Sequence, residues 1–122
     1  MRKAAGVLII NTGWVFGFHR SDGQGTSLPC GKVEDGETTE QAAVRECYEE
    51  TGATVTLHGK PYVGFHGEFE VTTYRATIIE MGDPTTNAEG TAEWVDPRMI
   101  FDGVFGEYNR AMYDVLSKIE IE

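Results

Sequence analysis

The chain has 122 residues, and that length supports one domain with one modest core. Ten Lys and Arg against 20 Asp and Glu leave a net charge of −10, the wrong sign for a protein that binds a nucleic-acid polymer by neutralising its phosphates. Hydrophobic residues at 40% and aromatics at 11% exclude an acidic disordered chain, and the longest apolar run, Val7 to Ile10, is too short to span a membrane.

The chain opens on Met1-Arg2-Lys3 and runs straight into a strand-like segment with no apolar leader and cleavage site, which predicts a cytoplasmic protein. Cys30 and Cys47 are too few for a disulfide framework and lack zinc-site spacing, so both read as reduced thiols. Ala4 to Ile10 and Trp14 to Phe18 are rich in β-formers. Asn11-Thr12-Gly13 between them predicts a hairpin, with Gly13 supplying a positive φ. A Ser/Asp/Gly-rich loop from Arg20 to Thr26 leads to a short strand end, Ser27 to Gly31, broken at Pro29.

A helix follows. Thr38 and Gln41 have the spacing of a capping box, and Gly52 is placed to stop it. Thr54 to Gly59, Tyr62 to His66, Phe69 to Met81 and Ala92 to Val95 read as strands. Tyr108 to Ile119 reads as a closing helix with Ala111, Met112, Val115, Leu116 and Ile119 on its buried stripe. Strands with one helix inserted and another at the end suggest an α+β fold, or a mixed sheet between helices, in a single domain over 1–122.

Most of the chemistry is concentrated in the first helix. Glu46, Glu49 and Glu50 stand at i, i+3 and i+4, one face of the helix, while Val44, Cys47, Tyr48 and Thr51 face a sheet. The three carboxylates then point away from the core, either as a solvated acidic face or as oxygen ligands for a hard divalent cation. Six of the ten excess negative charges lie between Glu34 and Glu50.

The segment from Gly31 to Ala53, GKVEDGETTEQAAVRECYEETGA, resembles the signature of the Nudix hydrolases, Gx₅Ex₇REUxEExGU with U aliphatic. All seven invariant letters are present, a coincidence expected at about one start in 10⁸ from average residue usage. The resemblance implies a mixed β-sheet sandwiched between helices, α/β/α, with a loop-helix-loop catalytic segment. It implies hydrolysis of a phosphoanhydride in a nucleoside diphosphate linked to another group, with Mg²⁺, or Mn²⁺ in its place, as the cofactor.

Carried onto this sequence, the resemblance makes Glu46, Glu49 and Glu50 the metal ligands, with Glu46 alternatively the general base. Arg45 and Glu37 become a structural ion pair, and the backbone carbonyl of Cys30 a further ligand. Glu89 is the loop acid that joins the metal or serves as base, with Glu93 second. Arg20 and Lys32 read as phosphate contacts and Asn109 as a base-reading amide or a helix cap, while Phe18, Tyr62 and Phe65 could stack on a base or pack in the core. Two departures stand out: the family has Gly-Gly where this chain has Cys30-Gly31, and aliphatic residues where it has Cys47 and Ala53. A Cβ at position 30 raises the question of a strained φ, and thiols near the site raise that of redox chemistry.

Marks of the NADH, coenzyme A, ADP-ribose and dinucleoside polyphosphate subgroups are missing. What remains by elimination is a MutT-type nucleoside triphosphate pyrophosphohydrolase, releasing the monophosphate and pyrophosphate from ordinary or oxidised nucleotides. The alternatives are a hydrolase of another nucleotide conjugate and a nucleotide-sensing module without catalysis. The expected partner is a small nucleotide, with no membrane and no nucleic-acid polymer, and a monomeric or homodimeric chain.

Overall fold

The computed structural model describes residues 1–23, 25–82 and 90–121. Strand β1 (Arg2–Leu8) continues through Ile9 into the two-residue β2 (Ile10–Asn11), which turns back into β3 (Trp14–Arg20). Thr12 and Gly13 form the turn with φ of 49° and 86°, the pairing of two positive φ values that matches the twist of adjoining strands. Ile10 pairs with Val15 and Asn11 with Trp14, as the predicted hairpin requires.

The single apolar run Ala4 to Ile10 serves two sheets. In the first, β5 (Cys30–Lys32), β1, β7 (Phe69–Met81) and β6 (Ala53–His66) lie side by side in that order, with β1 parallel to β7 and the other pairs antiparallel. The second pairs β3 with β2, with β4 (Thr26–Ser27) and with β8 (Gly90–Val95). Segments 54–59 and 62–66, expected as separate strands, are one strand with an irregularity of register between His58 and Tyr62.

Helix α1 (Thr39–Thr51) begins at the predicted capping box: Thr38 Oγ1 accepts from Gln41 N at 3.1 Å, and Gln41 Oε1 accepts from Thr38 N at 2.9 Å. It ends at Gly52 in the left-handed conformation, φ 78°. A 3₁₀ turn (Pro97–Ile100) precedes α2 (Gly106–Leu116). Alternate residues of β1 point to opposite sides. Ala5 and Val7 join Ala42, Ala43 and Cys47 of α1 in one cluster, whereas Ala4 and Leu8 join Tyr108, Met112 and Leu116 of α2 in the other. The centre of the first sheet, β1 and the middle of β7, is therefore buried between the two helices, as the resemblance implied.

Each helix keeps part of its expected face. In α1 Cys47 and Thr51 are buried and Val44 packs against the same cluster, as expected, joined by Ala42 and Ala43, while Tyr48 is largely exposed. In α2 the buried residues are Tyr108, Asn109, Met112 and Leu116; Ala111 and Val115 face solvent. The cause in α2 is polar satisfaction. The Tyr108 hydroxyl sits 2.7 Å from Thr73 Oγ1 and donates to Val71 O at 3.1 Å, and Asn109 Nδ2 donates to Ile100 O at 2.9 Å. Partnered groups of this kind can be buried at little cost.

Candidate active site

The site is organised by the edge strand β5. Val7 N donates to Pro29 O and Val33 N to Lys3 O, so in this antiparallel register Cys30 and Lys32 are the positions whose backbone groups turn away from β1. They turn toward α1, whose side chains complete the edge. Glu50 Oε1 accepts from Cys30 N at 2.9 Å, and Arg45 Nη2 donates to Lys32 O at 3.0 Å.

Glu50 is thus not on a solvated face. It is 7% exposed, buried against the strand it hydrogen-bonds. Glu46 is mostly covered as well, because between the two outward-turned residues lies Gly31, where a Cβ would coincide with the Glu46 carboxyl group. Only glycine lets that carboxylate lie on the strand. Glu49 is the outermost of the three, its side chain 55% exposed.

Arg45 ties these groups together. Its Nε and Nη2 grip both Glu37 oxygens at 2.7 and 2.9 Å, and its Nη1 lies 2.8 Å from Glu46 Oε1 and 3.3 Å from Glu49 Oε2. The paired hydrogen bonds from Arg45, with the backbone N–H of Glu34, hold the Glu37 carboxyl well below the usual range, at about 2. The Arg45 guanidinium is correspondingly pushed up, chiefly by Glu37. The Arg45–Glu37 pair expected from the signature is present, and through Lys32 O it also clamps the loop between β5 and α1 to the strand.

The cysteines settle two questions. Among the described residues only Thr12 is a non-glycine with positive φ, so Cys30 sits in ordinary strand conformation and needs no strained φ. Burial, reinforced by the nearby Glu50 and Glu46, pushes the Cys30 thiol up to about 12, and burial pushes Cys47 to about 11. Thiols with such values carry almost no thiolate at neutral pH, which argues against a redox role.

Beside the carboxylates, between β1, β5, β7 and the start of α2, lies a cavity of about 300 Å³. Four sequence-predicted residues line it: Arg20, Cys30, Lys32 and Asn109. Asn109 is neither exposed nor a helix cap, since its amide holds Ile100 O and Phe105 occupies the cap position. Arg20 is also paired with Asp22 at 2.7 Å.

The aromatic side chains on the cavity are Phe69, Phe105 and Tyr108 rather than those expected. Phe18 is core, Tyr62 packs edge-on against Tyr108, and Phe65 points to solvent. Phe69, Phe105 and Tyr108 come from two distant segments, and the only sequence sign of any of them is the position of Tyr108 on the packed side of a helix. Glu89 lies outside the described residues, and Glu93 is exposed on β8 opposite Gly17.

The donor set fits a hard divalent cation. It consists of oxygen only: three carboxylates from successive turns of α1, and the carbonyl of Cys30, which turns away from the β1 ladder on the α1 side. Among the described residues no three acidic, His or Cys side chains are already gathered about one point. Glu49 is drawn aside by Arg45, so gathering the three requires Glu49 to leave that pairing.

A family model described as NUDIX domain matches residues 1–116. An oxidized purine nucleoside triphosphate hydrolase of Danio rerio is 47% identical over 72 residues, 54% of this chain and 46% of that protein. An RNA pyrophosphohydrolase of Aliivibrio fischeri (strain MJ11) is 44% identical over 54 residues, 43% of this chain and 32% of that protein. Each match thus spans less than half the length of the relative. Among solved structures, a C. elegans Ap4A hydrolase superposes with a TM-score of 0.75 at 22% identity, covering 95% of this chain and 99% of its own. An ADP-ribose pyrophosphatase from Streptococcus suis gives 0.74 at 15% identity, covering 98% and 94%. With the signature intact, its glycine and carboxylates locked onto one strand, and a family match that runs through almost the whole chain, this protein belongs to the NUDIX domain family.

Proposed function

We infer that the protein hydrolyses a phosphoanhydride in a nucleoside diphosphate linked to a further group, nucleoside triphosphates included, with Mg²⁺ or Mn²⁺. One observation carries this reading: Glu46 and Glu50 are fixed against the three-residue strand whose residues also line the cavity with Arg20 and Lys32. The strand thus carries carboxylates on its α1 side and borders the cavity together with the cations, so that a polyphosphate reaching from the cavity across β5 would meet both.

Glu46, Glu49, Glu50 and the Cys30 carbonyl would hold the cation, which when bound offsets negative charge on the phosphoryl oxygens. The remaining work falls to the chain. Phe69, Phe105 and Tyr108 offer apolar surface to a base, and the Asn109 amide, oriented by Ile100 O, offers polar contact to its edge. Arg20 and Lys32 meet the phosphates. Water gives up a proton to a carboxylate as its oxygen bonds to phosphorus and the bridging oxygen departs; Glu46, lying on Gly31, takes that role in place of ligating the cation, or else Glu89 does.

Release of pyrophosphate and phosphate is measured across nucleoside triphosphates, their deoxy and oxidised forms, ADP-ribose and dinucleoside polyphosphates, with and without Mg²⁺. Glu46→Gln, Glu49→Gln and Glu50→Gln each lower kcat, Glu46→Gln by about a hundredfold or more. Full Mg²⁺-dependent turnover in Glu50→Gln would overturn the assignment.

A further inference from the structure

The three aromatic side chains on the cavity, Phe69, Phe105 and Tyr108, are held in different ways. Tyr108 is fixed by its hydroxyl, which meets Thr73 Oγ1 and Val71 O, and by Tyr62, which packs edge-on against it with 5.5 Å between ring centroids. Phe69 lies in the sheet, paired with Arg2 of β1, whose guanidinium stands 5.6 Å from the centre of its ring. Phe105 has no such tether. It occupies the cap position of α2, where no side chain caps the helix, and it is only half-buried.

The ring that meets Phe105 is His66, 4.2 Å away between centroids and inclined at 44°, a tilted contact of the kind aromatic pairs prefer. His66 is the last residue of β6, where Tyr62, Gly64 and His66 share one face by the two-residue period of a strand. Each of the three serves the start of α2. Tyr62 packs on Tyr108, a Cβ at Gly64 would come within 3.0 Å of the Tyr108 ring, and His66 meets Phe105. His66 is also the cross-strand partner of Phe69, and directly opposed residues project to the same side of a sheet. It thus stands beside one cavity aromatic and against another, while it is not among the residues that line the cavity.

We propose that His66 is a positioning residue for the nucleotide base: it holds the Phe105 ring as part of the cavity wall and acts on the substrate only through that ring. This role rests on the hydrolase reading above and goes beyond it, because it assigns work to a strand that contributes nothing to the cavity surface. Without the His66 ring, a bound base must itself order Phe105, and that ordering is subtracted from affinity.

The parent, His66→Ala and His66→Phe proteins are compared, with thermal unfolding as the check on folding. Three quantities are read: KM and kcat for the nucleoside triphosphate that the parent turns over best, the Ki of inorganic tripolyphosphate, which has no base, and the NMR signals of the Phe105 ring, assigned with Phe105→Leu. His66→Ala should raise KM about fivefold, the scale on which one aromatic pair contributes, and leave kcat and the tripolyphosphate Ki within about twofold. His66→Phe, which restores a ring at that place, should return KM to within about twofold of the parent. The Phe105 ring signals should collapse toward those of the free amino acid in His66→Ala and stay displaced from them in His66→Phe. An unchanged KM in His66→Ala, a parallel rise in the tripolyphosphate Ki, or no recovery in His66→Phe overturns the proposal. Phe105 signals that do not respond to His66→Ala overturn it whether or not any nucleotide is hydrolysed; turnover of no nucleotide by the parent would instead remove the hydrolase reading.

Discussion

Arg45 has six oxygen partners within 3.4 Å on three side chains and one backbone carbonyl, besides a longer approach to Glu34. Its tightest pairing sets a pH dependence. The Glu37 carboxyl is lowered to about 2 in the folded protein, so it binds its proton more weakly there than in the unfolded chain. The stabilisation is therefore complete above the ordinary carboxylate range and is lost as pH falls from about 5 toward 2. Denaturant unfolding of Glu37→Gln should show a shallower loss of stability over that interval than the parent protein; parallel curves would mean that Arg45 does not hold Glu37 in solution. For the thiols, iodoacetamide at neutral pH should label Cys30 and Cys47 slowly, and equally slowly with Mg²⁺ present, given values near 12 and 11.

At the scale of elements, β5 and α1 are joined through glycine and side chain. Gly31→Ala puts a methyl group where the Glu46 carboxyl lies, and the flexible carboxylate moves before the strand does. The expected result is a drop in kcat of about tenfold or more with a change in unfolding free energy of about 1–2 kcal/mol. Equal turnover would show that Glu46 need not lie on the strand. The ends of α1 were legible in advance, because Thr38, Gln41 and Gly52 act through neighbours within four residues. So was the turn at Thr12 and Gly13. The burial of Glu50 was not, since helical spacing places it beside Glu46 and Glu49, and only the backbone N–H of Cys30, 20 residues away, removes it from solvent. The same holds for α2. Its buried face includes Asn109 and Tyr108, whose partners Ile100 and Val71 belong to other elements, and an apolar stripe does not foresee them.

At the scale of the whole molecule, α2 is pinned along one face of β7 by alternate residues: Thr73 meets Tyr108, and Arg75 Nη1 donates to the carbonyls of Leu116 and Ile119 at 3.1 and 3.2 Å. Burial lowers the Arg75 pKa, and its Nε has no hydrogen-bond partner among the described residues. Arg75→Met, which removes this desolvated charge but keeps the bulk, should stay within about 1 kcal/mol of the parent in unfolding experiments, while Arg75→Ala loses about 2–4 kcal/mol. A large loss in Arg75→Met would show that the two carbonyl contacts outweigh the cost of burying the cation. Such an arrangement, like the cavity assembled from β1, β5, β7 and α2, joins residues tens of positions apart, and local pattern carries no trace of it. The signature nonetheless located the helix whose carboxylates meet β5, because its letters encode contacts within one loop, one strand and one helix.

The covering of β5 by α1 has a consequence for solubility. An outer strand with outward backbone groups is a template on which another chain can pair, and here Glu50 and Arg45 occupy the groups of Cys30 and Lys32 that would do the recruiting. A side chain read as a metal ligand and another read as half of a structural ion pair thus also cover this margin of the sheet. A double substitution Arg45→Ala and Glu50→Ala should therefore promote concentration-dependent self-association, visible by light scattering, whereas Glu50→Gln, which retains an acceptor for Cys30 N, should lose turnover and remain dispersed.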